Sequence, residues 1–84
     1  MIALLEQSLA NEYYDITILT LYKFMKELNQ SILNNFINSL KILFKEKSKY
    51  EFKLEILQLI LPFMKSENAS DFVLIFENVL KQPS

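Results

Sequence analysis

No cysteine, no histidine and no glycine occur among the 84 residues, and all nine basic residues are lysine. Without thiols and imidazoles, disulfides, thiolate nucleophiles, imidazole bases and nearly every structural zinc site are excluded. Without glycine, phosphate-cradling loops, dinucleotide-binding turns and glycine-rich hairpins cannot be built. Without arginine, the planar fork that reads phosphates and guanine edges is missing, and a formal charge of −1 gives no general attraction to polyanions. Nucleic acid is therefore not an expected partner, and no metal, cofactor or catalytic residue is assigned.

Long apolar runs are missing too. The longest, residues 56–64, is interrupted by Gln58 and Pro62 and falls well short of the roughly 20 residues that span a bilayer. The start, MIALLEQSLA, lacks the basic region of a signal peptide. These features lead us to expect a soluble, intracellular protein, cytoplasmic or nuclear.

What is present is hydrophobic and helical. Half the residues are hydrophobic and aromatics are plentiful, which argues against intrinsic disorder. The length suits one domain, 1–84, burying about 60 to 65 per cent of its unfolded surface. Apolar positions recur at helical rather than alternating spacing. Five helices are expected, at about 2–10, 15–28, 32–46, 48–65 and 71–81. Helix one sets Ile2, Leu5 and Leu9 on one side. Asp15 is the expected N-cap of helix two, and Asn29 to Ser31 its closing turn. On helix three, Ile32, Leu33, Phe36, Ile37, Leu40, Leu43 and Phe44 share a broad face. SKYE, at 48–51, has the spacing of a capping box for helix four. Apolar residues cover more than half of that helix, leaving Glu51, Glu55 and Gln58 as a wet stripe. SENAS, at 66–70, offers several turn and N-cap residues ahead of helix five, which Pro83 is expected to stop.

Residues 18–41 and 56–81 echo one another. Ile18, Leu19 and Leu21 recur 38 positions on, Phe24, Met25, Lys26, Asn29 and Ser31 recur 39 on, and Phe36, Asn38, Leu40 and Lys41 recur 40 on. A helical hairpin repeated at about 40 residues resembles the HEAT and armadillo class, and LILPFMKSENASDFVLIFENVLK is similar to one HEAT hairpin. Lys23 stands opposite the inserted Pro62 in this match. The resemblance implies an all-α architecture of two stacked antiparallel hairpins; the alternative is a compact helical bundle. It also implies that Pro62 bends helix four; otherwise helix four ends near Leu61 and a separate turn follows.

Carboxylates are the only acid–base chemistry available. Glu51 and Glu55, one turn apart among Lys49 and Lys53, read as a solvated face. Lys41, Lys45, Lys47, Lys49 and Lys53 gather around the turn between helices three and four and read as a solvated loop. Apolar residues on faces that should be wet are more informative. Ile42 stands among Asn34, Asn38 and Lys45, and Leu74 stands near Asn78 and Lys81, suggesting an interface. The residues expected to form it are Ile42, Leu74, Lys45 and Asn38. The function these features suggest is a non-catalytic protein–protein interaction or scaffolding module. It would bind a protein or helical peptide, or a second copy of itself. The alternative is a small inhibitor or immunity-type bundle that blocks a larger target.

Overall fold

Apolar residues spaced three and four apart build the helices of this chain, and the computed structural model, which describes residues 2–82, is all-α. Five α-helices follow in order: α1 (Ile2–Ala10), α2 (Tyr14–Lys23), α3 (Gln30–Leu43), α4 (Tyr50–Ile60) and α5 (Ser66–Leu80). Short 3-10 turns, Met25–Glu27 and Leu61–Phe63, follow α2 and α4. Pro83, expected to stop the last helix, and the Ile2 side chain lie outside the described residues.

The helices pack in a closed circuit. α1 lies against α2 and α3, α2 against α4, α4 against α5, and α5 returns to α3. The result measures 33 × 28 × 17 Å. Leu5 and Leu9 enter its core from α1, Ile18 and Leu21 from α2, Leu33, Phe36, Ile37 and Leu40 from α3, Ile56, Leu57 and Ile60 from α4, and Phe72, Ile75 and Val79 from α5. Each such side chain contributes about 1.5 to 3 kcal/mol on leaving water. The Ser8 and Thr17 hydroxyls, 2.7 Å apart and both buried, join α1 to α2 by a hydrogen bond that replaces the water each has lost.

Several boundaries differ from those the sequence suggests. α2 starts at Tyr14, and Asp15 lies in its first turn, accepting from the adjacent Ile16 amide at 2.9 Å rather than capping the helix. α3 starts two residues early because Asn29 is extended and its side chain accepts from the Ile32 amide at 2.9 Å. The SKYE capping box does not form. Lys49 precedes α4 in the left-handed region, φ 52°, and the Ser48 hydroxyl donates to Glu12 Oε1 at 3.2 Å instead. SENAS is the first turn of α5, not a loop. Serine, glutamate and asparagine suit a helix start as well as a turn, and here Lys65, extended, precedes the helix.

Pro62 lies in the middle of the 3-10 turn that closes α4, so α4 ends near Leu61 as one of the two expectations had it. Leu61 nevertheless keeps helical angles, φ −51° and ψ −46°, and the chain becomes extended at Met64. The two FMK triplets do not occupy equivalent steps. Phe24 ends α2, and Met25 and Lys26 lie in a 3-10 turn, whereas Phe63 ends such a turn and Met64 and Lys65 are extended. Matching starts are Tyr14 and Tyr50, Met25 and Leu61, and Gln30 and Ser66, each pair 36 positions apart. Lys26, not Lys23, therefore stands at the step of Pro62.

Candidate protein interface

Two polar assemblies hold the helices around the candidate residues. The first lies at the start of α3 and α5. Gln30 Nε2 donates to Asn34 Oδ1 at 3.2 Å and to Asn68 Oδ1, and Asn68 Nδ2 donates to Asn34 Oδ1. Asn68 is buried, so these bonds satisfy an amide that would otherwise lose its water uncompensated. One turn further along, Lys41 and Asp71 form an ion pair of 2.9 Å, the only one among the described residues. Both ends are part-exposed, and such a pair contributes at most about 1 kcal/mol.

This seam positions the four residues singled out from the sequence. Asn38 lines a polar cleft with Asn34, Glu67, Asn68 and Asp71. Lys45 lines a second depression with Lys47, Asn78, Lys81 and Gln82. Ile42 lies on α3 four residues after Asn38 and three before Lys45, which follows the helix, and Leu74 lies between Asp71 and Asn78 on α5. Both side chains are exposed, Ile42 at 71% and Leu74 at 53%. The seam is thus polar at one end and lysine-rich at the other, with Ile42 exposed on α3 and Leu74 on α5 at levels between them.

The second assembly lies at the corner where α1 meets α2 and α3 meets α4. Lys53, expected on a wet face, is 0% exposed. Its ammonium donates to the Glu46 carbonyl and to Gln82 Oε1 at 3.1 Å, and lies 5.6 Å from the centre of the Phe44 ring. Burial pushes the Lys53 pKa below the ordinary lysine value, and the Glu12 and Glu46 carboxylates act against that shift. Gln82 Nε2 donates to the Phe44 carbonyl at 2.6 Å, so one amide ties the end of the described chain to the α3–α4 connection. Tyr14 packs edge-on against Phe44 at 5.5 Å, and its buried hydroxyl has no hydrogen-bond partner. Burial first, then Glu12 and Glu46, raises the Tyr14 pKa to about 12. Gln82 also lines the lysine depression, so this corner joins the interior to that end of the seam.

The chain matches no protein-family model, no curated protein and no solved structure.

Glu51 and Glu55 stand exposed on α4. Among the described residues no group of three or more acidic side chains is placed to hold a metal ion, and no helix is long and apolar enough to cross a membrane. Two features escaped the sequence reading. Lys53 belongs to the interior, signalled only by the apolar residues at Leu57 and Ile56 on the same side of α4. An exposed apolar stripe on α2, carrying Ile16, Leu19 and Tyr22, was also missed. Its signal is that α2 carries apolar residues at Ile16, Leu19 and Tyr22 as well as on the arc of Tyr14, Ile18 and Leu21.

Proposed function

We propose that the chain is a non-catalytic binding module whose α3–α5 face docks a protein or a helical peptide. The observation that carries this reading is the exposure of Ile42 on α3 and Leu74 on α5, at levels between the Asn34–Asn68 amides and the lysines Lys45, Lys47 and Lys81. A complementary partner presents apolar side chains at helical spacing to Ile42 and Leu74 and an acidic end to the lysines. In this reading the two helix–turn–helix segments form a scaffold of the HEAT type, the architecture that the residue echo at 38 to 40 positions suggests. The closed circuit of helix contacts supports a second reading, a compact inhibitor or immunity-type bundle that covers the site of a larger target. Both readings place the protein inside the cell and assign it no chemistry.

Affinity capture from the native source, with Ile42→Asp and Leu74→Asp beside the wild type, tests the proposal. A partner retained by the wild type and by Leu19→Asp, and lost by both seam variants, supports it. A partner held equally by the seam variants places binding elsewhere. Inhibition of that partner's activity would select the blocking reading over the scaffold.

A further inference from the structure

The outer face of α2 is built in a way that the α3–α5 seam is not. At about 100° per residue, Tyr14, Thr17, Ile18, Thr20 and Leu21 fall on one arc of the helix and are buried. Asp15, Ile16, Leu19, Tyr22 and Lys23 fall on the opposite arc and are exposed. Leu19 is 67% exposed, Tyr22 57% and Ile16 39%, which is unusual for three apolar residues on successive turns of one helix. The charges lie at the two ends of this stripe, acidic at the start and basic at the finish. Among the described residues neither has an ion-pair partner. Asp15 accepts only its neighbouring amide, and the Lys23 ammonium lies 5.7 Å from the centre of the adjacent Phe24 ring.

About Leu19, this arrangement matches itself in reverse. If a second α2 is laid antiparallel on the first with Leu19 facing Leu19, Ile16 comes to the level of Tyr22 of the other copy. Asp15 comes to the level of its Lys23. Each charge then stands at the level of its opposite, twice over, and Ile16 and Tyr22 flank the paired leucines, as a two-fold interface between identical chains requires. A net charge of −1 leaves little repulsion between copies. From this complementarity we infer that α2 is the contact of a homodimer, the occupant of its apolar face being the α2 of a second copy. The α3–α5 seam stays free in such a dimer, so each assembly offers two partner-binding faces. A ten-residue helix is only about 15 Å long, so the contact belongs to the small interfaces, with a dissociation constant on the order of 10 to 100 µM.

Sedimentation equilibrium from about 10 µM to about 1 mM reads this directly. The wild type is expected to move from monomer to dimer across that range. Leu19→Asp should weaken association at least tenfold while leaving the far-UV circular dichroism and thermal melt unchanged, since Leu19 contributes little to the core. Asp15→Lys and Lys23→Asp should each weaken it, by placing like charges at matching levels. An equimolar mixture of these two variants should recover dimer as a one-to-one heterodimer, because one chain then carries a lysine at each end of the stripe and the other an aspartate at each end. A wild type that stays monomeric to about 1 mM overturns the inference. So does a dimer that survives Leu19→Asp but is lost in Ile42→Asp, or a mixture of charge variants that stays monomeric. A different protein captured on the α2 face of a monomeric wild type would also overturn it.

Discussion

Where α2 gives way to α3, Leu28 has φ −69° and ψ 119°, and Asn29 has φ −117° and ψ 175°. Where α4 gives way to α5, Met64 has φ −72° and ψ 138°, and Lys65 has φ −120° and ψ 175°. The backbone takes nearly the same course through both links, yet the residues that guide it differ. Lys26 occupies the middle of the first 3-10 turn and Pro62 the middle of the second. Asn29 caps its helix with a side-chain bond, and Lys65 does not. Two buried polar residues, Thr17 and Lys53, occupy matching steps of α2 and α4. Thr17 bonds within its own helix, to the Tyr13 carbonyl at 3.3 Å, and to nearby Ser8, whereas Lys53 reaches Gln82, 29 positions away. At this step α2 closes on local partners, whereas α4 also draws on a distant one. A proline is thus not needed for the bend: it fills a turn that the chain forms elsewhere with lysine.

Substitution at the two buried polar steps should give the largest difference. Lys53→Ala leaves a cavity, strips a donor from the Glu46 carbonyl and frees Gln82, and should cost about 3 kcal/mol in chemical denaturation. Thr17→Ala removes a hydroxyl from a local pair and should cost about 1 kcal/mol. Lys53→Met keeps the volume without the buried charge and should recover much of the loss. Equal costs for Lys53→Ala and Thr17→Ala would dissolve the distinction between the segments.

Tyr14 and Tyr50 open the matching helices, but Tyr14 is buried and Tyr50 only half-buried. With the folded pKa of Tyr14 raised from 10.0 to about 12, the folded chain holds a proton that the unfolded chain releases. Stability from this residue is therefore fully present below pH 10 and falls as pH rises towards about 12, by about 2 kcal/mol. Lys53 acts in the opposite sense, since its lowered pKa favours folding as pH rises towards 10.5. The difference between wild type and Tyr14→Phe, followed by urea unfolding across that range, isolates the tyrosine. At neutral pH Tyr14→Phe should be neutral or stabilising by up to about 1 kcal/mol, because it removes a buried hydroxyl without a partner. A loss of more than about 1 kcal/mol at neutral pH would show that the hydroxyl is hydrogen-bonded.

The caps offer a smaller contrast. Asn29→Ala should cost about 1 kcal/mol, and Lys65→Asn, which installs the missing cap on α5, should raise stability by about 0.5 to 1 kcal/mol. Thermal melts of the two variants moving in the same direction would contradict the shared geometry of the links. Pro62→Ala should do least, within about 0.5 kcal/mol, since the first link makes the same turn without proline. A larger loss, with α4 lengthening by nuclear magnetic resonance, would make Pro62 a determinant of the bend after all.

The helical class and the bounds of α1 were legible in the sequence, and so was the buried stripe of α3, because each depends on spacing alone. Lys53 was not, because periodicity assigns a lysine to water, and its partners, the Glu46 carbonyl and Gln82, lie in other parts of the chain. Ser48 misled because the capping-box spacing says nothing of φ, and Lys49 adopts the left-handed region that breaks the motif. SENAS misled because cap residues and turn residues are the same few amino acids. Ile42 and Leu74 were placed on exposed faces by spacing, and they are exposed; the stripe on α2 escaped because apolar residues on both arcs of that helix leave little contrast between its faces.

Glu12 and Lys49, the two residues with positive φ among those described, sit at different corners of the chain, yet the Lys49 ammonium donates to the Glu12 carbonyl and Ser48 donates to the Glu12 carboxylate. Each corner holds a conformation that costs about 1 to 2 kcal/mol for a residue with a side chain, and each is braced by the other. Opening one releases both. In hydrogen–deuterium exchange the amides of residues 11–14 and 47–50, far apart in sequence, should therefore gain deuterium together, as one cooperative unit rather than two fraying loops.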